Sequence, residues 1–322
     1  MNTLDSIREP IKESLTIFER RIGTILRSDV AVVNNMINHF LSVSGKRIRP
    51  IVVFLSGGLS GNINDQTQRL ALMVELLHSA SLLHDDVIDD SDTRRSLKTV
   101  NAIWDNKYAI MLGDYVLSKC ISVATEEDTS LIPLFAFASQ ALAEGELLQG
   151  ETAGSQKYDE ERYYTIIQHK TGALFQICCE GAAIAAGADE KQINHLRHFG
   201  MNLGTMFQIK DDILDYSENS PTGKEHGNDI REGKITLPLI YLLQKYPEQK
   251  DKVKAILGAE KNTPEEIHHL IQTVIRHGGI TYAQEAIARL HQESLKLLDF
   301  FPDSIYKQTL VQLLDFFEVR NQ

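Results

Sequence analysis

Apolar residues recur along this chain at helical rather than strand spacing. Ile11, Leu15, Phe18, Ile22 and Ile25 step by four, three, four and three, which places them on one face of an amphipathic helix. Leu72, Leu76, Ala80 and Leu83 repeat the pattern behind Asp65, which predicts an N-cap. Further helices are predicted over 109–124, 134–150, 160–186 and 190–215, then over Pro264–His277, Thr281–Phe300 and Ser304–Val319. Residues 51–132 and 134–220 contain no proline, as long helices require. No alternating strand pattern stands out. The predicted fold is all-α, and no linker divides residues 1–322, so a single domain is expected. One long irregular stretch remains, Tyr216–Lys234, with three glycines and a proline; loops of that length in compact domains are usually functional or disordered.

Composition narrows the function. A formal charge of −11 argues against nucleic acid as the main partner. The longest apolar runs, such as Leu131–Ala138, are far shorter than the ~20 residues a membrane span needs. Met1–Pro10 carries Asp5 and Glu9 and no apolar core, so no secretory signal is expected. Three cysteines, Cys120, Cys178 and Cys179, cannot all pair, which fits a reducing, cytoplasmic compartment.

The chemistry lies in two acidic clusters. Asp85 and Asp89 are i and i+4, with Asp86 one position round the helix; Asp211, Asp212 and Asp215 repeat that spacing. Like charges at i,i+4 destabilise a helix by roughly 0.2–0.5 kcal/mol per pair, so a compensating cation is expected. Mg²⁺, which takes a few carboxylates together with phosphate oxygens, suits that role. A solvated acidic face is the plain alternative, but each cluster follows an apolar run, Ser81–Leu83 or Met206–Ile209. Basic residues gather nearby: Lys46, Arg47 and Arg49 after Gly45, then Arg94 and Arg95, Lys170 before Thr171, and Lys224 and Lys234 in the long loop. Such cations are the usual partners of phosphate.

Taken together, GKRIRP (45–50), LLHDDVIDDSDTRR (82–95), HKTGALF (169–175), FQIKDDILDY (207–216) and GNDIREGKITLP (227–238) resemble the trans-type polyprenyl diphosphate synthases, in particular their long-chain branch. The resemblance implies one large helical bundle around a deep central cavity, a homodimer, and head-to-tail condensation of isopentenyl diphosphate onto an allylic diphosphate, farnesyl or geranylgeranyl. It implies Mg²⁺ on Asp85, Asp86, Asp89, Asp211 and Asp215, about three ions per site once diphosphate is bound, with Mn²⁺ able to substitute. Asp212 would stand behind these ligands. Arg94, Lys170, Thr171, Gln208, Lys224 and Lys234 match the allylic diphosphate site, and Lys170 and Lys234 join the aspartates as catalytic groups. Gly45, Lys46, Arg49, His78 and Arg95 match the isopentenyl diphosphate pocket. His84 is read as structural.

Ala80 and Ser81, one turn before Asp85, leave a path open for the growing tail, with Phe135 or Phe137 as its floor. An all-trans product of about thirty to fifty carbons is expected from that open path, released to a membrane and serving as a quinone side chain or another lipid. A class I terpene cyclase would carry a different second motif, and a non-catalytic partner subunit would lack the aspartates.

Overall fold

The computed structural model describes residues 4–42, 45–127, 129–155, 159–217, 227–257 and 262–319. Among the described residues the regular secondary structure is helical apart from one two-residue-by-two-residue hairpin, and the tertiary contacts divide the chain into two compact units. The first comprises Met1–Gln140, Leu174–Gly200 and Leu297–Leu313; the second comprises Ala141–Ala173, Met201–Lys296 and Leu314–Gln322.

The first unit is organised on the helix Asp65–Ile88. Every residue from Thr67 to Leu77 is buried, polar ones included. The apolar face expected from Leu72, Leu76, Ala80 and Leu83 is therefore only one side of a helix covered all round. Its cap is Asn64 rather than the expected Asp65. The Asn64 side chain accepts from the Thr67 amide at 2.9 Å, and the Thr67 hydroxyl accepts from the Asn64 amide at 3.3 Å, a reciprocal capping box. The buried Arg69 ion-pairs with Asp65 at 3.9 Å and donates to the Glu126 carbonyl. The helix Asn106–Thr125 packs beside it, with His84 seated against Gly113.

After Asp89 the chain turns into the hairpin, pairing Thr93 with Lys98 and Arg94 with Leu97. Its two-residue turn, Arg95-Ser96, has φ of 52° and 66°. Positive φ at both central positions is the demand of a type I′ turn, which Asn-Gly ordinarily meets. The sequence therefore gave no sign of it, and the expectation of no strands is corrected here.

In the second unit, Tyr216, Ile230, Leu239, Leu243, Val253, Ile267, Ile271 and Val274 form one apolar cluster. The stretch predicted as one helix over 160–186 is Glu160–Ile167, a single π-helical turn Gln168–Gly172, then Ala173–Ala185. Such turns cost backbone regularity and recur at functional sites. The helix Glu190–Asp215 has the predicted bounds. The expected irregular stretch contains the short helix Asn228–Arg231, and residues 218–226, with Lys224, lie outside the described residues. No helix among the described residues is long and apolar enough to cross a membrane.

Candidate active site

A cavity of about 630 Å³, part of it open to solvent, lies in the first unit. Gly45, His78, Asp86, Arg94 and Arg95 line it together, which unites residues from two separate sequence motifs with His78 from the helix between them. Asp86 is buried, and its Oδ1 accepts Arg94 Nε at 2.8 Å and lies 2.7 Å from Nη2. The Asp86 carbonyl accepts the Ser91 amide at 2.9 Å, so the residue also pins the turn that carries Arg94 and Arg95. Gly45 lies close against the tip of Arg95: a Cβ there would stand 3.0 Å from Arg95 Nη1. Burial, reinforced by the charges of Arg49, Arg94, Arg95 and Arg47, holds the His78 imidazole well below its usual range. His78 therefore enters the site neutral.

Two further residues line this cavity: Arg47, one of the basic residues after Gly45, and Glu75, which carried no expected role. Arg47 sits at φ 54°, ψ 37°, a left-handed conformation costly for arginine. Ion pairs to Glu75 at 2.7 Å and Glu19 at 2.9 Å fix it there. Lys46 and Arg49 are placed differently from His78. Lys46 is exposed and its carbonyl accepts from Arg8 at 2.9 Å, while the Arg49 guanidinium lies 5.1 Å from the Phe175 ring centroid. Lys46 precedes the helix Ile48–Leu59, and Arg49 lies in its first turn.

A second cavity, about 700 Å³ and likewise partly open, lies in the second unit. Lys170, Gln208 and Lys234 line it, as do Gln149, Tyr163, Asp212 and Asp229, none of which was expected at the substrate. The π-turn seats Lys170 against the helix Ile132–Ser155, where its Nζ meets Glu146 at 2.5 Å and Gln149 at 3.0 Å. Thr171 donates to Gln208 Oε1 at 2.8 Å; Gln208 Nε2 donates to Asp212 at 2.9 Å, and Tyr163 donates to Asp212 at 2.7 Å. Burial raises the Asp212 carboxyl to about 6 against those two hydrogen bonds. Burial, then Asp212 and Asp215, push Asp229 well above the carboxylate range. Lys234 pairs with Glu232 at 2.5 Å. GNDIREGK carried Asp229 in plain sight, but only the fold brings it to Asp212.

Asp85 is half-buried in the last turn of its helix, and Asp89, at the C-cap, is exposed; Asp211 is exposed as well. Hard anionic oxygens within reach of solvent are the donor set Mg²⁺ takes, so these residues fit that ion. Asp215 is engaged elsewhere, with both carboxylate oxygens accepting backbone amides. A separate group, His291, Asp315 and Glu318, has ligand atoms within 4.8 Å of one another and could hold a metal ion; it belongs to neither motif. His84 Nε2 stands 3.3 Å from the Ile110 carbonyl and 3.4 Å from Asp114, consistent with a structural role. Cys178 and Cys179 are buried thiols whose pKa values burial raises.

Ala80 is 2% exposed, and the Ser81 hydroxyl folds back onto the His78 carbonyl at 2.9 Å. Neither projects bulk. Phe135 is half-buried, but Phe137 is 44% exposed.

The polyprenyl synthetase family model matches residues 30–274. The all-trans-nonaprenyl-diphosphate synthase (geranyl-diphosphate specific) of Rhodobacter capsulatus is 35% identical over 311 residues, covering 95% of this chain and 95% of the relative. The crystal structure of a Caulobacter crescentus polyprenyl synthase complexed with calcium and isoprenyl diphosphate superposes with a TM-score of 0.93 at 31% identity, covering 99% of this chain and 98% of that one. A Pyrococcus horikoshii geranylgeranyl pyrophosphate synthetase gives 0.90 at 29% identity, covering 98% and 99%. The chain therefore has the all-α isoprenoid-synthase fold and belongs to the polyprenyl synthetase family, trans-prenyltransferases that condense isopentenyl diphosphate onto an allylic diphosphate with the assistance of Mg²⁺.

Proposed function

We propose that this chain extends farnesyl or geranylgeranyl diphosphate by successive 1′-4 condensations into a long-chain all-trans polyprenyl diphosphate. The observation that carries the reading is the first cavity, where Asp86 of the first acidic motif shares its walls with Arg94, Arg95, His78 and Gly45. Arg95 and neutral His78 hold isopentenyl diphosphate there, with Lys46 and Arg49 at its border. Lys170, Thr171, Gln208 and Lys234 bind the allylic diphosphate, joined by Arg94 and Lys224. Asp85, Asp86 and Asp89 of the first motif and Asp211 of the second are the residues proposed to hold Mg²⁺, which when bound would supply positive charge to the diphosphate. Lys170 and Lys234 stabilise the charge that develops on the departing oxygen as the allylic C1–O bond breaks. Their glutamate partners keep both ammonium groups in place before substrate arrives. The isopentenyl double bond then attacks C1, and a proton from that unit passes to the released diphosphate. No protein nucleophile is needed.

The small Ala80 and Ser81, one turn or about 6–7.5 Å below Asp85, support a product of about thirty to fifty carbons, since neither side chain has the bulk to close a tail's path. The nonaprenyl relative points the same way. A homodimer is the assembly proposed, because Tyr108, Ile110, Met111 and Ile121 leave apolar surface exposed on the helix Asn106–Thr125, Met111 to 57%. The enzyme is placed in the cytoplasm, handing its product to a membrane.

Incubation of the purified protein with labelled isopentenyl diphosphate, farnesyl diphosphate and Mg²⁺, followed by reversed-phase analysis of dephosphorylated products, tests the reading. Long linear prenols are expected, and Ala80→Phe or Ser81→Phe should shorten them toward fifteen to twenty carbons, about the length a floor one turn below Asp85 allows. A cyclised hydrocarbon would point to a terpene cyclase, and no product to a non-catalytic subunit. A wild-type product ending at fifteen carbons would contradict the open path.

A further inference from the structure

Asp215 ends the helix Glu190–Asp215 and stands third in the second acidic motif. Its Oδ1 accepts the Asn228 amide at 3.0 Å and its Oδ2 the Asp229 amide at 3.0 Å, while its carbonyl accepts the Gly227 amide at 3.0 Å. Three consecutive backbone donors thus end on one residue. They are the donors a helix start leaves unsatisfied, here those of Asn228–Arg231. The N-cap of that helix is Gly227, which has no side chain to supply a cap of its own. Gly227 has φ 69°, and a Cβ there would collide with Ile267, so glycine is required and the cap must come from elsewhere. The chain of contacts continues inward: the Asp229 carbonyl accepts the Lys234 amide at 2.7 Å, and the side chains of Asp229 and Lys234 line the second cavity.

We infer that Asp215 is a positioning residue, which caps Asn228–Arg231 and thereby sets Asp229 and Lys234 at the cavity wall, leaving the metal contact of the second motif to Asp211. The inference rests on the proposed role of Lys234 at the allylic diphosphate. A metal ligand matters only when metal is present, whereas a cap already acts in the metal-free protein.

Amide hydrogen exchange on the metal-free, full-length protein separates the two. In Asp215→Ala the Asn228 and Asp229 amides should exchange about five- to ten-fold faster than in wild type, the change expected from losing one helix cap. Asp215→Asn, which keeps one acceptor oxygen, should fall between, and Asp211→Asn should leave both amides unchanged. In steady-state assays Asp215→Ala should raise the allylic KM about ten-fold, with the KM for isopentenyl diphosphate and the half-saturating Mg²⁺ concentration within two-fold of wild type. Unchanged exchange at Asn228 and Asp229, or a Mg²⁺ requirement shifted as far as in Asp211→Asn, would overturn the inference. An allylic KM unchanged in Asp215→Ala but raised in Lys234→Ala would also overturn it. If neither variant moves that KM, the assignment of Lys234 in the proposed function fails, and the exchange rates still decide the cap.

Discussion

Arg94 directs both Nε and Nη2 at one oxygen of Asp86, at 2.8 and 2.7 Å, so the buried carboxylate and the guanidinium eight residues later form a single unit. Through its carbonyl Asp86 also receives the Ser91 amide and, at 3.3 Å, the Asn101 side chain. The first acidic motif is thus partly a clasp for the strained hairpin that presents Arg95.

Asp86→Asn should therefore lower stability by about 1.5–3 kcal/mol, the range for a hydrogen bond to a charged group. Arg94→Ala should cost at least as much, because it leaves the buried Asp86 carboxylate without that cation. Equilibrium urea unfolding of the metal-free protein measures both. An unchanged midpoint for Asp86→Asn would show that the clasp contributes nothing.

Asp85 and Asp211 face the opposite test, since both are reachable from solvent. Asp85→Ala and Asp211→Ala should each lower kcat by at least about 100-fold, the scale of losing a preorganised charge contact, with an unaltered circular dichroism spectrum. EDTA should abolish wild-type activity. Near-normal turnover of either variant in Mg²⁺ would remove that aspartate from the site.

The helices were legible because their apolar spacing and breakers are local. The Glu190–Asp215 helix matched its predicted bounds, and the N-cap of Asp65–Ile88 was missed by one residue because Asn64 and Asp65 are both good caps. The acidic motifs were legible from spacing alone. What stayed hidden is tertiary. Arg47 gains its place from Glu19 and Glu75, Asp229 from Asp212 and Asp215, and Tyr163 from Asp212. The π-turn and the Arg95-Ser96 turn break local preference, and no residue type announces either one.

His78 gives the fold a pH dependence of definite sign. Its folded pKa lies below the usual 6.5, mainly through burial and then through the surrounding arginines. As pH falls through 6.5 the unfolded chain binds a proton that the folded one refuses, so stability is lost toward acid and is fully present above that pH. The stability that His78 contributes should thus be smaller at pH 5.5 than at pH 7.5, opposed by Asp212 and Asp229, whose raised carboxyls favour the folded state toward acid. His78→Asn should reduce that difference, as denaturant midpoints at the two pH values would show. An equal pH difference in wild type and variant would contradict the assignment.

Gly145 sits where the π-turn approaches closest. A Cβ there would stand 2.8 Å from Lys170 Cγ and 2.9 Å from both His169 Cβ and the Lys170 amide nitrogen. Gly145→Ala should cost about 1–3 kcal/mol through overpacking and weaken allylic diphosphate binding by displacing Lys170. Gly150→Ala, on the same helix with nothing within 4 Å, should instead gain up to about 1 kcal/mol from helix propensity. Thermal unfolding of the pair checks the contrast, and equal shifts would show that the close approach is not rigid.

The division of the two substrates between the two cavities is tested most directly by equilibrium binding of labelled isopentenyl diphosphate and of an unreactive allylic diphosphate analogue to wild type, Arg95→Ala and Lys170→Ala in Mg²⁺. Each lost charged hydrogen bond is worth about 1.5–3 kcal/mol, or roughly ten- to a hundred-fold in affinity. Arg95→Ala should weaken isopentenyl diphosphate by that factor and leave the analogue within two-fold, and Lys170→Ala should do the reverse. Equal weakening of both ligands in both variants would contradict the account.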